Sequence, residues 1–148
     1  MYLDSAIIVK LLVHEEDSAW FDKNVAGHEL SSSELSLAEV RSTLLIKERT
    51  KQISANQRKS VFARFESMHE EKVLRLHPLN LHVLERASGL LIGCHPRVAL
   101  RSLDAIHVET ALMHPRGMFC ATDGQMRAAA GRVGLSCFPE NISQIVNQ

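Results

Sequence analysis

The stretch MYLDSAIIVKLLV, residues 1–13, predicts a buried strand that leads directly into a helix. Residues 1–4 form the predicted strand, and Ser5 is a possible N-cap of a helix that reaches about Val13. Asp4 stands between the apolar runs MYL and AIIV, where the central strand of a sheet should lie. The stretch therefore predicts one strand–helix unit of an α/β fold, with a carboxylate at the end of its strand.

The rest of the chain alternates short strands and helices in the same way. Further strands are predicted at HELSSS, Lys72–Pro78, GMFCAT and LSCF. A short helix is predicted near 16–25, and a longer one runs from the SSSE capping-box pattern at Ser31–Glu34 to about Thr50. Four more helices are predicted: from Ser54 to about residue 71, from Asn80 to Gly93, from Ser102 to Pro115, and in DGQMRAAAGRVG, which ends at Gly134. This alternation predicts an α/β domain around a mainly parallel sheet of four to five strands. The two helices joined by TKQI predict a long helical hairpin.

Length and composition are those of an ordinary globular protein. The 148 residues suit a single domain, with residues 139–148 as a polar tail, and 45% of them are hydrophobic. The three cysteines lie too far apart to indicate a disulfide framework or a CxxC metal site. The chain has no apolar run of about 18 residues and no signal-peptide pattern at its start. We therefore expect a cytoplasmic protein with no membrane contact.

Positive charge is concentrated in one segment, although the formal net charge of the chain is zero. Seven bases stand between Arg41 and Arg64, and Glu48 is the one acid among them. The segment can present a positive face to a polyanion, or it can be the solvated outer face of two helices. The sequence alone leaves both interpretations open.

Four acids that are distant in sequence are predicted to meet at one edge of the sheet. Asp4 and Asp123 end two predicted strands, Asp104 lies in the first turn of a helix, and Glu39 lies about two turns into another. In open α/β sheets, ligands bind at the carboxyl ends of the strands, where the following helices also begin. Each acid alone has a simpler explanation as a helix cap, a first-turn carboxylate or a solvated side chain.

The surroundings of the acids favour a shared site. Glu39 lies on a predicted helix that is apolar on both sides, and we expect that helix to be largely buried. Carboxylates packed together raise one another's pKa values, and a divalent cation removes that penalty. Mg²⁺ prefers oxygen ligands, and such ions activate water and stabilise the leaving oxygen of a phosphodiester. Acids beside a basic segment therefore predict a metal-dependent nuclease.

At these positions the chain resembles PIN-domain proteins, and in particular the VapC-type toxins of bacterial toxin–antitoxin pairs. The four motifs of that family are matched, in order, by YLDSAIIVKLL, SLAEVRSTL, RSLDAIHVETA and ATDGQM. The resemblance covers nearly the whole chain and implies a three-layer α/β/α domain with a protruding helical hairpin. It also implies endoribonuclease activity with Mg²⁺ or Mn²⁺ on cellular RNA.

The resemblance further assigns roles to individual residues. The acidic metal-binding and catalytic set is Asp4, Glu39, Asp104 and Asp123, and the small hydroxyl positions that support the first and last of these acids are Ser5 and Thr122. We also predict that RNA is contacted by Arg41, Lys47 and Arg101. The family implies a homodimer, inhibited by a small VapB-like antitoxin whose tail covers the active site. The chain departs from the family at Glu109, where a small residue is more common, and at DGQM, which lacks the charged residue often found after the last aspartate.

Other functional classes fit less well. A haloacid-dehalogenase-like phosphatase needs a second aspartate at the position of Ala6, and a receiver domain needs a lysine near the MFCATDG strand. No HExxH pattern occurs, so the eight histidines are expected on the surface or in loops. His107, three residues after Asp104, is expected to be a packed or partly exposed helix residue, with an RNA contact or a supporting role at the site as the lesser alternative. Glu109 is not expected to be a ligand. A PIN-like module that binds RNA or protein without cleavage stays open, although the presence of all four acids favours catalysis.

Overall fold

One five-stranded sheet organises the chain, for which the computed structural model describes residues 1–114 and 117–146. The strand order is β3–β2–β1–β4–β5, and all four strand pairs are parallel. The strands are β1 (Tyr2–Leu3), β2 (Leu30–Ser33), β3 (Leu74–His77), β4 (Phe119–Cys120) and β5 (Cys137–Phe138). The predicted α/β class with a parallel sheet is confirmed.

Helices connect the strands and cover both faces of the sheet. Those in the described residues are α1 (Ser5–Leu12), α2 (Ser18–Val25), α3 (Ser36–Arg49), α4 (Ala55–Glu70), α5 (Leu81–Cys94), α6 (Ser102–Met113), α7 (Gly124–Arg132) and α8 (Ser143–Val146). Successive strand residues face opposite sides of a sheet. Leu3 and Cys120 accordingly belong to a core with α1–α4, and Tyr2 and Phe119 belong to a second core with α5–α7. The predicted three-layer arrangement is confirmed.

The order of the strands creates a crevice beside β1. From β1 the chain proceeds outward through β2 and β3, and it then returns to place β4 on the other side of β1. Ligands of open α/β sheets bind where the strand order reverses, at the carboxyl ends of the strands. Asp4 and Asp123 follow β1 and β4 at this point, and the amide of Asp4 donates a 3.1 Å hydrogen bond to the carbonyl oxygen of Cys120.

Three of the predicted helix caps are wrong. Asp4, not Ser5, is the N-cap of α1, because its extended backbone directs a carboxylate oxygen to the amide of Ile7 at 2.8 Å. The SSSE segment does not open a helix, since pairing with β1 and β3 holds it in β2. The N-cap position of α6 is Arg101, not Ser102, and Arg101 makes no side-chain capping bond.

Other local predictions hold. Ser54 forms a complete capping box with Gln57 at the start of α4, and the side chain of Asn80 caps α5 by accepting from the amide of Val83. The hairpin is formed by α3 and α4. The predicted end of α6 at Pro115 lies outside the described residues, where the helix is traced to Met113. Within the predicted tail, a short α8 precedes residues 147–148, which also lie outside the described part.

The prediction that the Glu39 helix is largely buried is wrong. α3 buries one face, through Val40 and Leu44, whereas Leu37 and Ile46 are both more than 40% exposed. The reason is that α3 packs against α1 and α4 on one side only. Among the described residues, no helix is both long enough and apolar enough to span a membrane.

Candidate active site

A cavity of about 510 Å³ opens at the crevice between β1 and β4. Its lining includes all four predicted acids, Asp4, Glu39, Asp104 and Asp123. The two aspartates at strand ends reach it because parallel strands end at the same edge of the sheet. The other two acids reach it from the first turn of α6 and the first turn of α3. The structure therefore brings the predicted acids to one cavity.

Asp4 is the most enclosed of these acids. It is only 3% exposed, and burial is the main cause that raises the pKa of its carboxyl group to about 6. The amide of Ile7 and the neighbouring His107 ring lower this pKa, whereas the carboxylates of Glu39 and Asp104 raise it further. Asp4 thus carries its negative charge at a cost that a cation in the cavity would relieve.

Asp104 and Asp123 share a cation from their own chain. The guanidinium of Arg101 donates to both carboxylate oxygens of Asp104, at 2.7 and 3.2 Å, and to Oδ2 of Asp123 at 3.1 Å. These contacts raise the pKa of Arg101 further above its usual range. Asp123 also caps α7 by accepting from the amide of Met126 at 2.8 Å. The Arg101 side chain is 71% exposed and is therefore able to swing away from the acids.

Glu39 is held by a buried polar group that the sequence did not reveal. Its Oε2 accepts a 2.6 Å hydrogen bond from the Ser5 hydroxyl and lies 2.6 Å from Nε2 of His107. Burial alone would raise the pKa of Glu39, but the bonds from His107 and Ser5 and the nearby charge of Arg101 hold it below its usual range. Tyr2 completes the group, with its hydroxyl 2.8 Å from Nδ1 of His107.

His107 is a packed helix residue, as expected, because it is 1% exposed. It also lines the cavity and contacts Glu39 directly, so the lesser alternative of a supporting role at the site fits its position better. The expectation that the histidines are scattered over surfaces and loops is wrong for His77, which is buried in β3. The only sequence signal was the position of His107 on the same helix face as Asp104. Glu109 points elsewhere, as expected, and pairs with Arg86 at 2.8 Å.

The two supporting hydroxyl positions differ from each other. Ser5 is buried and continues a chain of hydroxyl groups through Ser36 to Ser32, at 3.0 and 2.7 Å, and Ser32 donates to the carbonyl oxygen of Leu3. Thr122 lines the cavity and is half-buried, but in the described part of the chain its hydroxyl makes no hydrogen bond. The structure thus bonds Ser5, but not Thr122, to one of the acids.

Two of the three basic residues predicted to contact RNA lie at the cavity. Arg101 lines it beside the acids, and Lys47 lines it while paired with Glu15 at 2.7 Å. Arg41 does not line it: its guanidinium lies 3.4 Å from the ring centre of Phe62 and 3.8 Å from Glu66. The reason is that Arg41 follows Glu39 by two residues, which turns it toward α4.

Ser5, His107 and Glu39 do not form a nucleophilic triad, although all three are in contact. In a triad the serine and the acid bond opposite nitrogens of the imidazole ring. Here Ser5 and Glu39 both approach Nε2, while Nδ1 faces Tyr2. The nearby Cys120 is fully buried, and burial raises the pKa of its thiol to about 12, so it is not a ready nucleophile.

The donor chemistry of the cavity fits a hard divalent cation. Carboxylate oxygens are the ligands that Mg²⁺ and Mn²⁺ prefer, and the pKa of Asp4 is raised mainly because its carboxyl group is buried. In residues 1–114 and 117–146, no three His, Cys, Asp or Glu side chains are arranged closely enough to hold a metal ion as they stand. Arg101 already neutralises two of the acids. The side chains therefore have the donor atoms that the ion needs, but the guanidinium of Arg101 is paired with two of the four carboxylates.

Comparisons with known proteins give a family, a relative and a neighbour in fold. The family model described as PIN domain matches residues 1–131. Ribonuclease VapC46 from Mycobacterium tuberculosis (strain ATCC 25618 / H37Rv) is 35% identical over 139 residues, which cover 92% of this chain and 94% of that protein. The crystal structure of FitAcB from Neisseria gonorrhoeae has a TM-score of 0.68 at 15% identity, covering 94% of this chain and 96% of that one. At that identity the structural likeness concerns the fold alone.

Proposed function

This chain belongs to the PIN domain family, with VapC-type proteins among its relatives, and we propose that it is a divalent-metal-dependent endoribonuclease. The observation that carries the proposal is that four carboxylates, from four separate segments, line one cavity. The relative that is 35% identical is named a ribonuclease, which supports RNA as the substrate.

In this proposal the metal is held by Asp4, Asp104 and Asp123 or Glu39, either directly or through water. When bound, Mg²⁺ or Mn²⁺ supplies activation of water and neutralisation of the charge that develops on the phosphodiester. The hydrogen bonds from Ser5 and His107 keep Glu39 ionised and fixed in direction. The hydrogen bond from the amide of Ile7, which makes Asp4 the N-cap of α1, fixes the direction of the Asp4 carboxylate.

Basic side chains at the cavity rim have a separate task. Arg101 is well placed to bind a phosphate once it leaves the carboxylates, because its side chain is mostly exposed. Lys47 also lines the cavity, where it is paired with Glu15. Because neither Ser5 nor Cys120 has the surroundings of a nucleophile, we propose direct hydrolysis with no covalent enzyme intermediate.

The experiment is cleavage of purified transfer, ribosomal and messenger RNA by the purified chain. We expect cleavage with Mg²⁺ or Mn²⁺, none in excess EDTA, and recovery when the metal is restored. Asp4→Asn and Asp123→Asn should each reduce the cleavage rate at least about a thousandfold, because each removes a negatively charged ligand of the metal ion. The matched control is Asp22→Asn, an exposed aspartate outside the cavity.

Two results would contradict this function. Undiminished cleavage in EDTA would exclude the metal, and full cleavage by Asp4→Asn would exclude the carboxylate cluster. RNA binding without cleavage under every metal condition would instead favour a PIN-like binding module. Sequencing of the RNA ends after induced expression identifies the cleavage site.

We further propose that the chain is the toxin of a VapBC-type pair, inhibited by a small antitoxin, and that it forms a homodimer. Support comes from the VapC relative and from exposed apolar side chains along one face of α5, where Leu81 and Ile92 are 70% and 76% exposed. The test is to search the neighbouring reading frames for a small DNA-binding protein and to co-express it with this chain, which should give a complex that does not cleave RNA. Light scattering during size exclusion tests the dimer, and a monomer at micromolar concentration would contradict it.

A further inference from the structure

A buried aromatic residue stands behind the polar group that holds Glu39. Tyr2 lies in the central strand, 4% exposed, with its ring stacked on Phe119 at 5.5 Å and edge-on to His107 at 5.9 Å. Tyr2 does not line the cavity. Its hydroxyl nevertheless contacts the ring nitrogen of His107 that faces away from Glu39. Through the histidine ring the hydroxyl reaches the acidic site.

The hydrogen atoms of this group can be assigned by counting donors. The Tyr2 hydroxyl carries one hydrogen, as a phenol does near neutral pH, and lies 2.8 Å from Nδ1 of His107. When that hydrogen is donated to Nδ1 of His107, the ring carries its own hydrogen on Nε2. Nε2 then donates that hydrogen to Oε2 of Glu39. This assignment gives each of the three groups a hydrogen-bond partner.

We infer that Tyr2 is a positioning residue, whose hydroxyl holds His107 in the Nε2–H tautomer so that His107 orients the Glu39 carboxylate toward the metal position. The inference rests on the proposed metal-dependent function of the same cavity. The partner of one imidazole nitrogen decides which hydrogen the other nitrogen can offer. Groups that bond a metal ligand directly, as His107 bonds Glu39, commonly change metal affinity or activity by about 10- to 100-fold when they are removed. Tyr2 acts one hydrogen bond further from the ligand, so the lower end of that range is expected.

The alternative is that Tyr2 serves packing alone. Its stacking on Phe119 belongs to the second core, and any aromatic ring could supply that contact. Tyr2→Phe separates the two roles, because it keeps the ring and removes only the hydroxyl. Phe119→Leu is the matched control, since it loosens the same stack and leaves the hydroxyl in place.

The first measurement is ¹⁵N NMR of histidine-labelled protein in EDTA at pH 8, with the His107 signals identified from their absence in His107→Gln. We expect a protonated Nε2 and an unprotonated Nδ1 in the wild type and in Phe119→Leu. Tyr2→Phe should give the other tautomer or an exchanging mixture. Protonated Nδ1 in the wild type, or an unchanged pattern in Tyr2→Phe, overturns the inference.

The second measurement is Mn²⁺ binding by calorimetry, which does not depend on cleavage. Tyr2→Phe should weaken Mn²⁺ binding by about 10-fold, with Phe119→Leu close to wild type. His107→Gln should bind more tightly than His107→Asn, because the longer amide can still donate to Glu39. Equal Mn²⁺ affinity in the wild type and Tyr2→Phe overturns the positioning role. Absence of both Mn²⁺ binding and RNA cleavage in the wild type contradicts the proposed function instead, and the NMR pattern distinguishes the two failures.

Discussion

Asp4 and Asp123 each follow a two-residue strand, each cap the next helix, and each accept a backbone hydrogen bond of 2.8 Å. Their strands are neighbours and parallel, so the two carboxylates face the same cavity. The surroundings differ. Asp4 is 3% exposed, and no basic side chain in the described residues forms an ion pair with it. The Asp123 side chain is 36% exposed and contacts Arg101.

The difference divides the cavity into two parts. The closed part contains Asp4, Glu39 and His107. Hydrogen bonds stabilise the charge of Glu39 there, and the raised pKa of Asp4 reflects the cost of its buried charge. The open part contains Asp104 and Asp123, and its charge is managed by an arginine that can move. One local motif, strand–aspartate–helix, thus leads to two electrostatic solutions, because burial rather than backbone geometry sets the cost of the charge.

The largest expected effect is on the closed part. Asp4→Asn should raise the free energy of unfolding of the metal-free protein by about 3 kcal/mol at pH 8, since it removes a buried charge and asparagine still caps a helix. The pKa of Asp4 is raised from 3.8 to about 6 on folding. The stabilisation from its protonation is therefore present at low pH and lost as the pH rises through about 6. The advantage of Asp4→Asn should shrink toward zero near pH 4.

Urea unfolding in EDTA at pH 4, 6 and 8 measures this effect. Asp123→Asn is the control from the open part, where we expect a change below about 0.5 kcal/mol at each pH because the residue is partly exposed. An equal gain in both variants would show that burial does not distinguish the two aspartates.

The next effect is on the open part. Arg101→Ala should strengthen Mn²⁺ or Mg²⁺ binding by about tenfold, because the guanidinium no longer competes for Asp104 and Asp123. Arg97→Ala is the control, since Arg97 is an exposed base on the same loop outside the cavity. Calorimetry is the readout, because loss of a phosphate contact would weaken RNA binding at the same time. Unchanged or weaker metal binding in Arg101→Ala would show that the arginine supports the metal site rather than competing for it.

The two parts also differ in how far the sequence predicts them. Strand ends and the first turns of helices are local features of the sequence. The acids at those positions could therefore be expected at one edge of the sheet from the sequence alone. The caps at Ser54 and Asn80 were equally local. The contact between Tyr2 and His107 joins residues 105 positions apart, and neither lies in a pattern that marks it. The Arg101 bridge depends on one side-chain conformation, which no sequence pattern specifies.

Burial also explains where the helix predictions failed. The serines of SSSE have strong capping chemistry, but the strand pairings of β2 and the bond from Ser32 to Leu3 use them inside the sheet. The apolar residues of α3 predicted burial on both sides, yet only one side has neighbours. In the first case tertiary contacts outweighed a local preference, and in the second the apolar pattern predicted contacts that the fold does not make.

The smallest expected effect separates the two caps themselves. Alanine in place of asparagine removes the side-chain acceptor, which typically costs about 1 kcal/mol. Asp4→Ala compared with Asp4→Asn should lie near the upper end of that range, because the Ile7 amide becomes a buried donor without a partner. The same loss of stability between Asp123→Asn and Asp123→Ala should be about 1 kcal/mol smaller than the loss between Asp4→Asn and Asp4→Ala. The reason is that the opening of the cavity lets water reach the Met126 amide. Equal losses of unfolding free energy at the two positions, measured with urea at pH 8, would mean that water reaches both caps. The closed part of the cavity would then be accessible to water, although Asp4 there has no paired cation among the described residues.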